Sequence, residues 1–260
     1  MKLQLGRHFY GLAAISFGVL TLVWHQIYLL GNISHPEILV YIAGIVELIG
    51  GLAIQWERTA KFGALTIAAI FFIFSIYWIP QIVEKPLVYG YWGNFFEQFS
   101  IVLGGVIVFA STIQSDQERV AKIARAAYRF YGICVISYTL YQLFYLSDTA
   151  DLVPTWIPPG QMFWAVTTTI LFALAAFAII SGRSALLASR LLTAMIVGFG
   201  LLVWMPVCIG DPHELTNWAR NATNLAVAGA AWVVADFLYQ SKISPLKWQL
   251  GHLPIEEKKD

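Results

Sequence analysis

Eight long apolar runs, separated by short polar breaks, constrain this chain more than any other feature of its sequence. Each run is close to the roughly 20 residues that a helix needs to cross a hydrocarbon core ~30 Å thick. Backbone polar groups in lipid must be satisfied within the spanning structure, which favours helices here. The predicted fold is an all-α membrane protein with eight transmembrane helices, at residues 9–30, 37–55, 62–82, 92–113, 127–146, 160–180, 185–209 and 218–239.

The composition agrees with this prediction. Hydrophobic residues make up 58% of the chain and charged residues 12%, whereas about a quarter of a soluble domain is charged. The net charge of +1 provides no strongly basic surface, so we predict no nucleic-acid partner. The lipid bilayer is the partner that the composition predicts.

The distribution of lysine and arginine predicts the orientation. Of the 16 Lys and Arg residues, only Lys85 and Arg220 fall on one side of the predicted bundle. The other side is therefore predicted to be cytoplasmic, because cytoplasmic loops carry an excess of these residues. With an even number of spans both termini are cytoplasmic, and we expect an integral protein of a prokaryotic inner membrane.

The second half of the chain repeats the first. An offset of 126 residues aligns the hairpin of the third and fourth runs with that of the seventh and eighth without a gap. It pairs Trp78 with Trp204, Pro80 with Pro206, Pro86 with Pro212, Trp92 with Trp218 and Gln98 with Asn224. At the start of each half the offset is 121, which aligns Phe9-Tyr10-Gly11 with Phe130-Tyr131-Gly132.

The repeat predicts how the chain is divided. Each half has four runs, so both halves begin on the same side and are related by an axis along the membrane normal, as two parallel-repeat four-helix bundles. We predict units at 1–114 and 126–240, a cytoplasmic linker at 115–125 and a polar cytoplasmic tail at 241–260.

Glu47 is the strongest single candidate for a function. It lies ten residues into the second run, near the predicted midplane, where an ionisable side chain is costly. Gly50 and Gly51 let another helix approach closely, and Gln26 and Gln98 are the predicted partners by depth. Two interpretations remain open: a hydrogen bond that holds helices together, or a group that relays protons or binds a ligand.

A second group of polar and aromatic candidates falls in the outer half of the predicted bundle. It could form a cavity open to the outside, or only hydrogen bonds between helices, and most of the tryptophans are typical of an interfacial belt. Together with Glu47, the candidate ligand-binding residues are His25, Glu97, Gln98, Trp204, His213, Trp218, Asn221 and Asn224. No metal site is predicted, because His25 and His213 lack the spacing of a ligand pair.

These residues resemble those of DoxX-type membrane proteins. The stretch from Glu47 through Gly50-Gly51 resembles that family's second helix, and the segment from His213 to Asn224 resembles its last. The usual family member is one four-helix unit, so the chain resembles two fused units. The offset of 126 places Ala173 opposite Glu47, so the second half lacks the acidic residue.

The resemblance implies several functions. Some similar proteins are membrane subunits of thiosulfate:quinone oxidoreductases, and others associate with redox enzymes. We therefore expect an accessory or ligand-binding membrane protein, more a partner of other membrane or redox subunits than a catalyst on its own. A quinone-linked oxidoreductase subunit, with a bound quinone, and a small-solute transporter or channel are the alternatives.

Overall fold

The computed structural model describes residues 5–31, 35–113 and 117–243. The chain is 84% helical, and the described part contains no strand. Eight of its helices are long. The α-helices are α1 (Leu5–Trp24), α2 (Glu37–Ala53), α3 (Ala60–Ile76), α4 (Ile79–Glu84), α5 (Tyr89–Thr112), α6 (Gln117–Phe144), α7 (Leu146–Asp151), α8 (Gln161–Ser181), α9 (Ala185–Phe199), α10 (Met205–Gly210) and α11 (Leu215–Ile243).

Six helical segments are long and apolar enough to cross a membrane, which indicates a membrane-embedded protein. They are α1, α3 with α4, α5, α8, α9 with α10, and α11. The other two predicted spans coincide with α2, which has only 17 residues, and α6, whose first turns carry charge. Residues 117–125 of the predicted linker form the start of α6, while 114–116 and 244–260, with most of the predicted tail, lie outside the described residues.

The two proline-containing hairpins have the same element boundaries. Pro80 and Pro206 lie in the first turn of α4 and α10, where a missing N–H costs no intrahelical bond. The bounds of α10 are those of α4 shifted by 126 residues. The first residues of the long helices that follow them, α5 and α11, are also 126 residues apart. Trp92 Nε1 donates to the carbonyl of Pro86 and Trp218 Nε1 to that of Pro212, each at 3.0 Å.

The long helices pack around a ring in the order α1, α2, α3, α5, α6, α8, α9 and α11, which returns to α1. The contact of α5 with α11 divides the ring into two compartments. The first helix of each half therefore packs against the last helix of the other half, so the halves interlock.

Glycine allows the closest of these approaches. A Cβ at Gly229 of α11 would lie 2.7 Å from the Cα of Tyr10, and a Cβ at Gly6 of α1 would lie 2.7 Å from the backbone of Trp232. Real side chains do not fit such gaps, so α1 and α11 can pack backbone to backbone only with glycine at these positions.

Two buried tyrosines fix the first helix of each half. The hydroxyl of Tyr10 donates to the carbonyl of Ile101 at 2.6 Å, and that of Tyr131 donates to the carbonyl of Val227 at 3.4 Å. The two donor tyrosines are 121 residues apart and the two acceptor residues, Ile101 and Val227, are 126 residues apart. These are the two offsets of the sequence repeat. Each bond joins the first and last helices of one half.

We predict that Tyr10→Phe destabilises the protein by about 1 kcal/mol, because a buried hydrogen bond between helices is lost. Tyr131→Phe should cost less, since its bond is longer. Thermal unfolding in one detergent measures both effects. Tyr41→Phe, at an exposed side chain of α2, is the control and should leave the midpoint unchanged. Equal midpoints for Tyr10→Phe and Tyr41→Phe would contradict the assignment.

Candidate functional site

A cavity of about 1100 Å³ occupies the compartment enclosed by α5, α6, α8, α9 and α11. It lies toward the end of the bundle that carries α4, α7 and α10, and α7 with the following segment forms part of its wall. Polar and charged wall residues are Gln26, Asn94, Glu97, Gln98, Gln142, Asp148, Thr149, Thr168, Glu214, Thr216, Arg220, Thr223 and Asn224; aromatic ones are Tyr28, Trp78, Tyr138, Tyr141, Tyr145, Trp164, Phe172, Phe199 and Trp204.

The other compartment is filled by aromatic side chains. Phe71 and Phe74 of α3 are buried, and the ring of Phe71 packs on those of Phe74 and of Phe17 in α1, with ring centroids 5.7 Å apart in both pairs. The offset of 126 places Gly200 at the position of Phe74. The second half therefore lacks one of the rings that close the first, which is a physical reason for its hollow interior.

Gly200 begins a π-helical turn, Gly200–Trp204, that connects α9 to α10. Such turns are rare and occur often at functional sites. The side chain of Asn224 enters the space beside this turn, where its Nδ2 donates to the carbonyl of Ile196 at 2.8 Å. A Cβ at Gly200 would lie 2.9 Å from that Nδ2, so glycine is needed for the approach.

Gln98 of α5 forms another part of the cavity wall. Its Nε2 donates to the carbonyl of Leu29 at 2.8 Å, and Nε1 of Trp78 donates to the same carbonyl at 3.2 Å. The Oε1 atom of Gln98 is buried and has no hydrogen-bond partner among the residues that the structure describes. A buried acceptor without a donor is costly, and this one belongs to a residue of the cavity wall.

Charged side chains lie around the cavity with acidic groups in excess. The acidic ones are Glu97, Asp148 and Glu214, and the basic one is Arg220, whose guanidinium lies 5.6 Å from the ring centroid of Trp204. Hydrogen bonds from the hydroxyl and backbone N–H of Thr216 hold the pKa of Glu214 below its usual value. Among the described residues, no ion pair within 4.0 Å joins Glu97 to Arg220.

The structure brings four of the nine sequence candidates together in this wall: Glu97, Gln98, Trp204 and Asn224. The other five lie elsewhere. His25 and His213 are exposed, and Trp218 donates to Pro212 at the surface. Asn221 lies beside Gly200 without forming part of the wall, and Glu47 lies between α1 and α2.

Glu47 is only 1% exposed, and its Oε2 accepts a hydrogen bond from the hydroxyl of Thr21 at 3.2 Å. The sequence predicted Gln26 and Gln98 as the partners of Glu47. The prediction was wrong for Gln98, which donates to the carbonyl of Leu29 instead. The same prediction placed Gln26 within a first helix that continues to residue 30. In the structure α1 ends at Trp24, and His25 adopts a positive φ of 52°, which turns Gln26 toward the cavity.

The second half has a similar polar contact between its first two long helices. Gln142, which follows Thr21 by 121 residues, accepts hydrogen bonds from Thr168 at 3.4 Å and Thr169 at 2.9 Å. The bond joins the same pair of helices as the Thr21–Glu47 bond, although Thr168 and Thr169 lie about one turn before Ala173, the position aligned with Glu47. A polar contact between these helices in both halves favours the interpretation of Glu47 as a structural group.

We predict that Thr21→Val lowers stability by about 1 kcal/mol, because it leaves the Glu47 carboxyl without its donor. Glu47→Gln should cost less than Glu47→Leu, since the amide keeps an acceptor oxygen. Thermal unfolding measures all three. Thr139→Val is the matched control, because the Thr139 hydroxyl bonds only within its own helix. If Thr21→Val and Thr139→Val behave alike, Glu47 does not hold α1 to α2.

Sequence reasoning missed the contribution of α6 and α7 to the wall, including Tyr138, Tyr141 and Gln142. One signal was present in the repeat, because the five extra residues of the second half fall in the connection that includes α7. The other was the pairing of Phe74 with Gly200, which appears only when the alignment is searched for differences in side-chain volume.

We predict that Gly200→Ala is less stable than Gly198→Ala by about 1 kcal/mol, because only the former displaces the amide of Asn224. Both changes bring the same helix propensity, and a Cβ at Gly198 meets no atom within 4 Å. Urea or thermal unfolding in detergent compares them. A Gly200→Ala protein as stable as Gly198→Ala would show that the Asn224 contact is dispensable.

Within the described residues, no group of three or more His, Cys, Asp or Glu side chains is placed to hold a metal ion. Cys134 and Cys208 are both free and buried. Comparison with known proteins finds no family model, no curated protein and no solved structure that matches the chain.

Proposed function

We propose that the chain is an integral membrane protein that binds a small organic molecule in the cavity of its second half. The cavity itself carries this proposal. Its volume of about 1100 Å³ is slightly above the roughly 300–1,000 Å³ typical of ligand pockets. Its wall combines many aromatic rings with a few polar groups, as such pockets do.

We further propose that eight helices cross the membrane as two fused DoxX-like units, with both termini cytoplasmic. Two observations support the repeat: α4 and α10 are 126 residues apart, and Tyr10 and Tyr131 make corresponding bonds in the two halves. The scarcity of Lys and Arg at the end that carries α4, α7 and α10 supports the orientation. In this arrangement the cavity faces outward.

Binding explains the interior better than conduction does. Below the cavity, the described residues between the halves are closely packed. Tyr10, Tyr131, Ala230 and Ala231 are each at most 1% exposed. A transport path would have to pass through this layer, whereas a binding site needs only the open end. The protein would then serve as a binding subunit, in keeping with the accessory role that the family resemblance implies.

A quinone remains the second candidate ligand, and one observation favours it. The rings of Tyr138, Trp164, Phe172 and Phe199 all border the cavity, and a quinone head group stacks well on aromatic side chains. On this alternative the protein is the quinone-binding subunit of a membrane redox complex.

We predict that Thr223→Phe abolishes retention of the ligand. Thr223 borders the cavity, and its hydroxyl bonds only to Ala219 of its own helix, so the new ring fills space without breaking a contact between helices. Proteins purified in mild detergent would be extracted and the released small molecules compared by mass spectrometry. One compound should accompany the wild type in near-stoichiometric amount and be absent from the variant.

Ala173→Phe is the control, because it adds the same ring at an exposed position of α8 outside the cavity wall. It should retain the compound. Equal small-molecule contents in the wild type and Thr223→Phe, with both proteins monodisperse and equally helical, would refute binding in the cavity.

A further inference from the structure

We infer that the ligand of this cavity is an organic cation: an ammonium or similar N–H-bearing group on an apolar, ring-sized body. The inference rests on the proposed function and specifies its ligand. Three features of the wall carry it: an acceptor without a donor, an excess of acidic side chains, and many aromatic rings.

The unpaired acceptor is Oε1 of Gln98. The amide cannot be turned to expose its NH₂ group instead, because Nε2 is the donor to the carbonyl of Leu29 and a carbonyl can only accept. Gln98 is 2% exposed, so bulk water does not replace the missing donor. Because Gln98 borders the cavity, a small shift of its amide would let a ligand N–H or O–H reach the atom and satisfy it.

Glu97, the residue before Gln98, supplies negative charge. It is half-buried in the same wall, and among the described residues its carboxyl has no hydrogen bond and no ion pair within 4.0 Å, although Arg220 lies near enough to attract it. Asp148 and Glu214 add negative charge nearer the opening, against the single guanidinium of Arg220, which lies over the Trp204 ring. A cation beside Glu97 would gain a charge-assisted hydrogen bond.

Three aromatic side chains of the wall have polar atoms that already donate a hydrogen bond within the protein. The hydroxyl of Tyr138 donates to Ser100 at 2.6 Å, Nε1 of Trp164 to Pro158 at 3.0 Å and Nε1 of Trp78 to Leu29 at 3.2 Å. With their donors occupied, these three residues offer a ligand only their ring faces. Such surfaces attract cations.

Three compounds with one indole body test the charge. Tryptamine is the cation, tryptophol the neutral alcohol and indole-3-acetate the anion. Equilibrium dialysis against the full chain in nanodiscs of neutral lipid, with empty nanodiscs subtracted, measures each. We expect tryptamine to bind at least about tenfold more tightly than tryptophol, as a hydrogen bond to a charged group would give, and indole-3-acetate to bind most weakly.

Two variants locate the effect. Glu97→Gln should remove most of the preference for tryptamine and leave tryptophol binding unchanged. Glu84→Gln, at an exposed acid beside Lys85 outside the wall, should change neither.

The possible failures are distinct. If tryptophol or indole-3-acetate binds as tightly as tryptamine and Thr223→Phe blocks it, the cavity binds ligands and the cation inference is wrong. Preferential tryptamine binding that survives Glu97→Gln also overturns the inference, as does the absence of binding by all three compounds. The proposed function itself fails only if the extraction comparison of the wild type with Thr223→Phe shows no difference.

Discussion

The packing of each half's first helix against the last helix of the other half determines the rest of the structure. On one side Gly6 and Gly229 bring α1 and α11 to backbone contact. On the other, α5 packs along α6, and α5 and α11 meet between the two compartments. Because the halves interlock in this way, neither compartment is closed by one half alone. The cavity takes walls from both, with Gln98 from the first half and Asn224 from the second.

The two compartments have a similar arrangement of helices but different interiors. Tyr10 and Tyr131 make corresponding bonds in the two halves, so the backbone arrangement does not depend on what fills the compartments. Phe74 closes the first compartment, whereas Gly200 at the matching position leaves room for Asn224 and the π turn in the second. On the proposed function, the first half then serves as a packed support while the second half binds the ligand.

The sequence predicted the long helices because apolar length acts locally. The short helices α4 and α10, which carry Pro80 and Pro206 in their first turns, were not predicted as separate elements, although the alignment that pairs the two prolines was visible in the sequence. The end of α1 at Trp24 was missed, because the apolar run continues beyond the point where His25 leaves the helix. Hydrophobicity does not distinguish a helix from the apolar turn that follows it.

The site was predicted only in part, for a related reason. Depth along a helix placed Glu97, Gln98, Trp204 and Asn224 correctly at one end of the bundle, but it could not show which helix faces they occupy. Glu47 was the most conspicuous residue in the sequence, yet it bonds to Thr21 away from the cavity. A buried acidic residue marks an energetically costly position. Its role depends on which side chains the neighbouring helices place beside it.

The decisive measurement is a cryo-electron microscopy map of the protein, purified gently and held in lipid nanodiscs. It should show a π turn at residues 200–204, an open second compartment with non-protein density beside Glu97 and Gln98, and a first compartment filled by Phe17, Phe71 and Phe74. A map in which α9 continues as a regular α-helix through Gly200, with α8 and α9 closed onto α5 and no space between them, would contradict this prediction.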